Sequence, residues 1–215
     1  MDEAAIEFAY QGPLLRLKNS DVNFAITGNV IFNIIRSNST IEEGKCFQNY
    51  HLRTEDKIDI INTKKSVFGY LAVEGGFKLE KFGDSYSVNT RAKVGPNNGE
   101  KFSINEKIYI RKSKVENFTE KKINFIQSYE KTIRVLKATN FDYFSSSSKK
   151  FFFEKNFIVT KLSDRMGMRL KGPKLENIIN TNIKSEGLIK GVIQVPADGN
   201  PIIMFSDHGT IGGYP

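Results

Sequence analysis

Residues 163–173 read Ser-Asp-Arg-Met-Gly-Met-Arg-Leu-Lys-Gly-Pro, residues 191–196 read Gly-Val-Ile-Gln-Val-Pro, and residues 207–215 read Asp-His-Gly-Thr-Ile-Gly-Gly-Tyr-Pro. Each stretch holds a short run of strand-forming residues between glycine or proline corners, and the polar residues lie mainly at those corners. This pattern predicts short β-strands that are joined by tight turns.

Similar runs occur throughout the chain and predict an all-β fold. Gly28-Asn29 is a tight-turn signal between the first two runs, and residues 68–73 are apolar on both faces, which predicts a central strand. One short helix is expected to begin at Thr139 or Asn140, followed by a polar turn at residues 145–148. The predicted strands are Val22–Ile26, Val30–Ile35, Lys57–Ile61, Val67–Val73, Lys107–Ile110, Thr132–Leu136, Asn156–Thr160, Gly191–Val195 and Pro201–Phe205.

The chain divides by composition into two strand-rich halves. The charged segment 115–130 is interpreted as a linker, so residues 1–114 and 131–215 are expected to form a first and a second β module. Gly12-Pro13 and Gly172-Pro173 each open a run of strand residues, one in each half, which favours related modules. A chain of 215 residues, 39% of them hydrophobic, is long enough for two small cores.

The composition excludes several classes of protein. The net charge is +8, but the lysines are scattered and no arginine-rich arm or base-stacking motif is present, so we expect no nucleic-acid partner. No apolar run approaches the roughly 20 residues of a membrane span, and the acidic N-terminus has no apolar signal region, so we expect a cytoplasmic protein without a membrane partner. The lone cysteine, Cys46, excludes an internal disulfide and is expected to be a small core residue.

Motifs of several common active sites are missing from the sequence. Two histidines and one cysteine do not form a zinc site at any usual spacing, so we expect no metal. There is no Gly-x-x-x-x-Gly-Lys-Ser/Thr loop for ATP, no Gly-x-Ser-x-Gly nucleophile elbow and no Ala-Met-Lys-Met segment for biotin attachment. We therefore expect no cofactor in this chain. His51 is expected to have a structural or surface role, and the role of His208 stays open.

What remains is a set of polar residues at β corners. Arg165 has the planar fork that clamps a carboxylate through two hydrogen bonds, or it pairs with Asp164 to fix the turn. Gln194 lies in an otherwise apolar strand, so its amide either bonds to backbone or faces a ligand. Thr210 with Gly212-Gly213 offers a hydroxyl and backbone N–H groups suited to a carboxylate or oxyanion, unless the glycines only form a turn.

Taken together, these segments resemble the biotin-dependent carboxyltransferase family. The 163–173 and 191–215 stretches are the most specific, and the resemblance extends through nearly the whole chain. The other matching segments are Ala4–Glu7, Gly12-Pro13, Ala25–Asn29, Gly69–Gly76 and Gly83–Tyr86. The family's N-terminal region and the strands that normally follow Gly-Gly-Tyr-Pro are absent. The resemblance therefore implies two cyclophilin-like β-barrel modules that are incomplete at both chain ends.

The resemblance also implies a function. The family includes one component, the C subunit, of ATP-dependent 5-oxoprolinase, which converts 5-oxoproline to glutamate. On that reading the chain is part of a hydrolase acting on a cyclic amide, with homologues of the B and A subunits as partners and with ATP used by the complex. One alternative is the carboxyltransferase subunit of a urea carboxylase-like enzyme, with carboxybiotin on a separate carrier. Another is a non-catalytic regulatory binding protein.

The resemblance finally implies where the small-molecule substrate binds. Arg165 would hold a substrate carboxylate, Asp207 would orient the substrate or accept a proton, and Thr210 with the following glycines would polarise a carbonyl oxygen. Asp207, Thr210 and Gln194 are the expected catalytic group. The expected substrate-binding group consists of Arg165, Thr27, Gly28, Asn29, Gly212, Gly213 and Tyr214.

Overall fold

The structure is a computed structural model that describes residues 3–112, 118–124, 131–179 and 182–215. Its contacts divide the chain into two compact units, Met1–Tyr129 and Glu130–Pro215. The predicted all-β class is confirmed, because strands dominate and the described residues contain one α-helix of nine residues. The predicted linker at 115–130 lies largely outside the described residues, so that assignment stays a prediction.

The elements of each unit follow in chain order. The first unit contains β1 (Ile6–Ala9), β2 (Leu14–Arg16), β3 (Val22–Gly28), β4 (Val30–Ile35), β5 (Ile41–Glu43), β6 (Asn49–Leu52), β7 (Lys57–Thr63), β8 (Phe68–Val73) and a 3-10 turn at Asn97–Gly99. The second unit contains a 3-10 turn at Phe141–Tyr143, α1 (Ser146–Glu154), β9 (Ile158–Val159), β10 (Gly167–Lys171), β11 (Glu186–Gly187), β12 (Ile193–Gln194), β13 (Ile202–Met204) and β14 (Ile211–Gly212).

Two antiparallel sheets build the first unit, in the orders β1-β8-β3-β6 and β2-β7-β4-β5. The strand β8 lies between β1 and β3, so its predicted central position is confirmed. Only one of its faces is buried, however: Leu71 is 1% exposed whereas Tyr70 is 39% exposed. Both sheets are open among the described residues, so the closed barrels implied by the resemblance stay a prediction.

The inner faces of these two sheets share one hydrophobic core. Alternate residues of β3 are buried, as expected when one face of a strand packs against a core. Phe24 of β3 meets Phe32 of β4 edge to face at 6.2 Å between ring centroids, and Tyr50 stacks on Phe24 at 5.7 Å. The half-buried Cys46 packs against this core, as predicted. The buried core residues are Ala4, Ile6, Phe8, Val22, Phe24, Ile26, Phe32, Ile34, Leu52, Ile58, Ile60, Leu71 and Phe77.

Gly28-Asn29 carries the chain from one sheet to the other. The strands on its two sides pair in different sheets rather than with each other. Gly28 has φ +106°, and a Cβ there would lie 2.9 Å from the Phe68 carbonyl oxygen, so a larger residue is excluded by strain and by contact. Asn29 is fixed on the other side, where its N–H donates to Ser66 Oγ at 3.1 Å and its carbonyl accepts from Lys64 N at 2.8 Å.

A buried carboxylate fixes one end of the second sheet. Asp56, 1% exposed, accepts hydrogen bonds from Ser37 N at 2.8 Å, Arg53 N at 3.1 Å and Arg36 Nη1 at 3.0 Å. Burial acts to raise the pKa of Asp56, but the hydrogen bonds from Arg53, Arg36 and Ser37 outweigh it and the pKa is lowered. Arg36 also binds the exposed Glu42 through two bonds of 2.8 Å. The carboxylate is therefore held charged inside the fold.

The second unit has a smaller core. Its sheets have the orders β12-β13-β10-β9 and β11-β14, and Leu175 and Val195 are its buried hydrophobic residues among those described. Its helix α1 begins after Ser145, whose Oγ accepts from Ser148 N at 3.1 Å as an N-cap.

Three local predictions are wrong. Residues 145–148 start α1 instead of forming a turn, because serine is a favoured N-cap and Ser145 satisfies a first-turn N–H. Lys107–Ile110 forms an isolated bridge from Ile110 to Phe77 instead of a ladder, and Lys78 N donates to Tyr109 O at 2.8 Å. Thr132–Leu136 has no partner strand among the described residues, and Ile133 and Leu136 are 82% and 96% exposed. A strand-like sequence forms a strand only where a partner edge exists.

Candidate functional site

Arg165 and Asp207 form the one ion pair among the predicted site residues in the described part of the chain. Arg165 Nε donates to Asp207 Oδ2 at 2.7 Å, and Nη2 donates to Oδ1 at 3.3 Å. The side chains are 38% and 21% exposed, so the pair is reachable from solvent. The Arg165 fork therefore holds a carboxylate of the chain itself, and its binding of a substrate carboxylate stays a prediction.

The backbone around this pair is held by two adjoining segments. Arg165 precedes β10 and Asp207 follows β13, and these strands pair in antiparallel register. Asp207 N donates to Arg165 O at 3.1 Å, and Phe205 N donates to Met166 O at 2.9 Å. Asp164 fixes the turn, which is the task expected of it in one interpretation, through bonds to backbone: its Oδ1 accepts from Met166 N at 2.9 Å and from Gly167 N at 3.3 Å.

The C-terminal segment forms the second group of predicted residues. Leu188 N donates to Thr210 O at 2.9 Å, and Ile183 N donates to Gly213 O at 2.9 Å, so the segment lies along β11. Further on, Val195 N donates to the carbonyl of Pro215 at 2.8 Å. The segment therefore passes from one strand to the next, and Gly212 is a strand residue rather than part of a turn.

Gln194 holds this segment in place. Its side chain is buried, and Nε2 donates to the Tyr214 carbonyl oxygen at 3.0 Å. The structure thus assigns Gln194 a backbone partner, one of the two possibilities derived from the sequence. A Cβ on Gly212 would collide with the same amide, its oxygen lying 2.8 Å away. Tyr214 itself is 41% exposed.

Replacing Gly212 by alanine should destabilise the second unit by about 1–3 kcal/mol, because the new methyl group overpacks against the buried Gln194 amide. Urea unfolding of the full chain measures the loss. Gly187→Ala is a matched control, since Gly187 lies in β11 beside β14 and a Cβ there meets no atom within 4 Å. Equal stability of the two variants would contradict the close packing of Gly212 on Gln194.

Thr27, Gly28 and Asn29 belong to the first unit, at the corner between its two sheets. Thr27 and Gly28 pair with Tyr70 and Gly69 of β8. The remaining predicted site residues belong to the second unit. Their combination with Thr27–Asn29 in one substrate site stays a prediction.

The sequence interpretation missed a polar chain on the outer face of the first sheet. His51 Nδ1 lies 2.8 Å from Asn23 Oδ1, His51 Nε2 lies 3.5 Å from Asp21 Oδ2, and Asn23 Nδ2 donates to Glu74 Oε2 at 2.7 Å. The strand register places Asn23 opposite His51. The predicted structural role of His51 agrees with these contacts. Asn23 alternates with the buried residues of β3, and this alternation in the sequence was the signal that its side chain lies on the outer face.

One further feature of the second unit lies apart from the predicted residues. A cavity of about 180 Å³ is lined by Lys174, Leu175, Glu176, Asn177, Pro196, Ala197, Asp198 and Gly199. None of these was predicted to bind substrate. Within the described ranges, no three His, Cys, Asp or Glu side chains are placed to hold a metal ion. Nor does any described helix have the length and apolarity needed to cross a membrane.

Comparison with known proteins finds relatives along the whole chain. The model of the family "carboxyltransferase domain, subdomain A and B" matches residues 1–215. The C subunit of the 5-oxoprolinase of Haemophilus influenzae is 27% identical over 212 residues, or 98% of this chain. The C subunit of the 5-oxoprolinase of Escherichia coli is 27% identical over 164 residues, or 76% of this chain. The chain spans 66% and 53% of the lengths of these two relatives.

Solved structures share the fold. The crystal structure of TTHA0988 matches 99% of this chain and 41% of its own, with a TM-score of 0.77 and 25% identity. The urea amidolyase of K. lactis matches 98% of this chain and 14% of its own, with a TM-score of 0.76 and 20% identity. The second similarity concerns the fold alone.

Proposed function

The chain belongs to the family of the carboxyltransferase domain, subdomain A and B, and on this basis we propose that it is one component of an ATP-dependent 5-oxoprolinase. The observation that carries the proposal is the similarity to two proteins named as the C subunit of 5-oxoprolinase, one of them along 98% of this chain. The reaction opens the cyclic amide of 5-oxoproline and yields glutamate.

The proposed substrate fits the chemistry of the second unit. 5-Oxoproline carries a carboxylate beside a five-membered cyclic amide. The Arg165 guanidinium already binds a carboxylate in bidentate fashion, at 2.7 and 3.3 Å, which is the geometry that recognises such a group. In this proposal Arg165 binds the substrate carboxylate, and Asp207 and Thr210 act near the amide.

Gln194 then acts as a positioning residue. Its bond to the Tyr214 carbonyl fixes the segment that carries Thr210, Gly212 and Gly213. The partners in this proposal are homologues of the B and A subunits of 5-oxoprolinase, and ATP is held outside this chain.

A substrate-selectivity assay tests the proposal. The chain is combined with its proposed companion subunits, homologues of the B and A subunits, and ATP hydrolysis is measured with 5-oxoproline, with urea and without substrate. We expect 5-oxoproline alone to stimulate hydrolysis. Stimulation by urea together with a biotinylated carrier would favour the urea carboxylase alternative, and stable complex formation without any stimulation would favour a regulatory binding protein.

A further inference from the structure

In the proposed substrate site, Asp207 already binds the part of Arg165 that a substrate carboxylate would need. Asp207 occupies the Nε–Nη2 edge of the guanidinium with both of its carboxylate oxygens. A bidentate substrate carboxylate on that edge would take the same two donors. Asp207 and such a substrate therefore exclude each other there.

The surroundings of the pair allow the Asp207 carboxylate to be exchanged for a ligand carboxylate on Arg165. Both side chains are partly exposed, at 38% and 21%, so a dissolved carboxylate reaches the guanidinium without opening the core. The two segments also stay together without the side-chain pair, because Asp207 N bonds to Arg165 O at 3.1 Å and Phe205 N bonds to Met166 O at 2.9 Å. Separating the side chains requires rotamer changes and leaves these backbone bonds intact.

We propose that Asp207 is a built-in competitor that occupies the Arg165 fork until a carboxylate-bearing ligand displaces it. This inference rests on the proposed function for the identity of the ligand. The Arg165 charge is paired before and after the exchange, so the step involves little net desolvation. The displaced Asp207 carboxylate is left beside the ligand, as a general base must be.

The exchange also selects among ligands. A neutral amide such as urea or 2-pyrrolidinone has no carboxylate and does not displace Asp207. 5-Oxoproline is 2-pyrrolidinone with a carboxylate added, so the two compounds differ in the group that the exchange requires. They are therefore a matched pair of probes.

Isothermal titration of the full chain, with its companion subunits present, tests the exchange. Asp207→Asn keeps the size of the side chain but removes its charge, so a ligand carboxylate no longer competes with a second carboxylate for the Nε–Nη2 edge of Arg165. We expect the Kd for 5-oxoproline to fall roughly 1.4- to fivefold, the range that corresponds to a partly exposed ion pair. The response to 2-pyrrolidinone should not change.

An unchanged or higher Kd for 5-oxoproline in Asp207→Asn would overturn the inference, since the ligand would then bind beside Asp207 rather than in its place. If that variant does not fold, Asp207→Ser serves in the same titration. In the wild-type protein, the Nε–H resonance of Arg165, assigned through its loss in Arg165→Lys, should shift with 5-oxoproline and not with 2-pyrrolidinone. If the chemical shift of this resonance is unchanged at saturating concentrations of both compounds, the exchange is also contradicted.

Failure of the exchange and failure of the proposed reaction are separable. If the wild-type complex forms glutamate while Asp207→Asn binds 5-oxoproline no more tightly, the reaction stands and the exchange is wrong. If Asp207→Asn binds 5-oxoproline more tightly while the wild-type complex forms no glutamate, the exchange stands and the reaction is wrong.

Discussion

Arg165→Ala should raise the KM of the assembled enzyme for 5-oxoproline by roughly 10- to 150-fold, which corresponds to about 1.5–3 kcal/mol for the loss of hydrogen bonds to a charged group. The physical reason is that alanine removes the fork that binds the substrate carboxylate, now seen with Asp207 at 2.7 Å. Steady-state kinetics with varied 5-oxoproline measures the effect. The kcat should fall less than kcat/KM, because the lost contact concerns binding.

Arg169→Ala is the matched control for this experiment. Arg169 lies in β10, four residues from Arg165, and is exposed. Its replacement removes the same charge from the same unit and should leave the KM within about twofold, as is usual for surface substitutions. An Arg165→Ala enzyme with wild-type KM, or an equal loss in both variants, would remove Arg165 from the substrate site.

The largest effect on stability should come from Asp56→Ala. The variant leaves the Arg36 guanidinium and the N–H groups of Ser37 and Arg53 without their common acceptor inside the first unit. Breaking a buried pair in this way costs about 3–5 kcal/mol, a large part of the roughly 5–15 kcal/mol that holds a typical domain folded. Urea unfolding at pH 7 measures the loss.

Glu42→Ala provides the control, because Glu42 binds the same arginine at 2.8 Å but is 45% exposed. Its loss should cost only about 0.2–1 kcal/mol. Comparable losses in the two variants would show that burial does not set the contribution of Asp56.

The pH dependence of stability should follow the same carboxylate. The pKa of Asp56 is lowered in the folded state, so its contribution is fully present above its unfolded pKa of about 3.9. It is lost as the pH falls through the folded pKa, because the proton then binds more tightly to the unfolded chain. Asp56→Asn should therefore flatten the fall in stability below about pH 4. If the stability of Asp56→Asn falls at acid pH as steeply as that of the wild type, the assignment of this pH dependence to Asp56 is contradicted.

The longer strands of the first unit, β3, β4, β7 and β8, could be predicted because local pattern and tertiary environment agree there, whereas β1, β2, β5 and β6 were not predicted as strands. β3 and β4 alternate buried and accessible residues, and the predicted bounds differ from the observed ones by at most two residues. Thr132–Leu136 has an equally strand-like composition but finds no partner among the described residues. Pairing is a long-range property, and a run of β-branched residues carries no information about it.

The site was predicted as a set of residues and not as a set of contacts. Arg165 and Asp207 were both selected, but their mutual bond joins residues 42 positions apart and follows only from the register of β10 with β13. The link from Gln194 to the Tyr214 carbonyl likewise spans 20 positions. Residue type indicates what a side chain can bind, whereas the fold decides whether the chain itself supplies the partner.

The most direct measurement is the formation of glutamate from 5-oxoproline by the companion subunits and ATP, with and without this chain. The proposed function predicts glutamate in proportion to ATP hydrolysed when the chain is present, and a loss of product when it is omitted or replaced by the Arg165→Ala variant. Glutamate formed at the same rate without the chain, or no glutamate from a complex that contains every component, would contradict it.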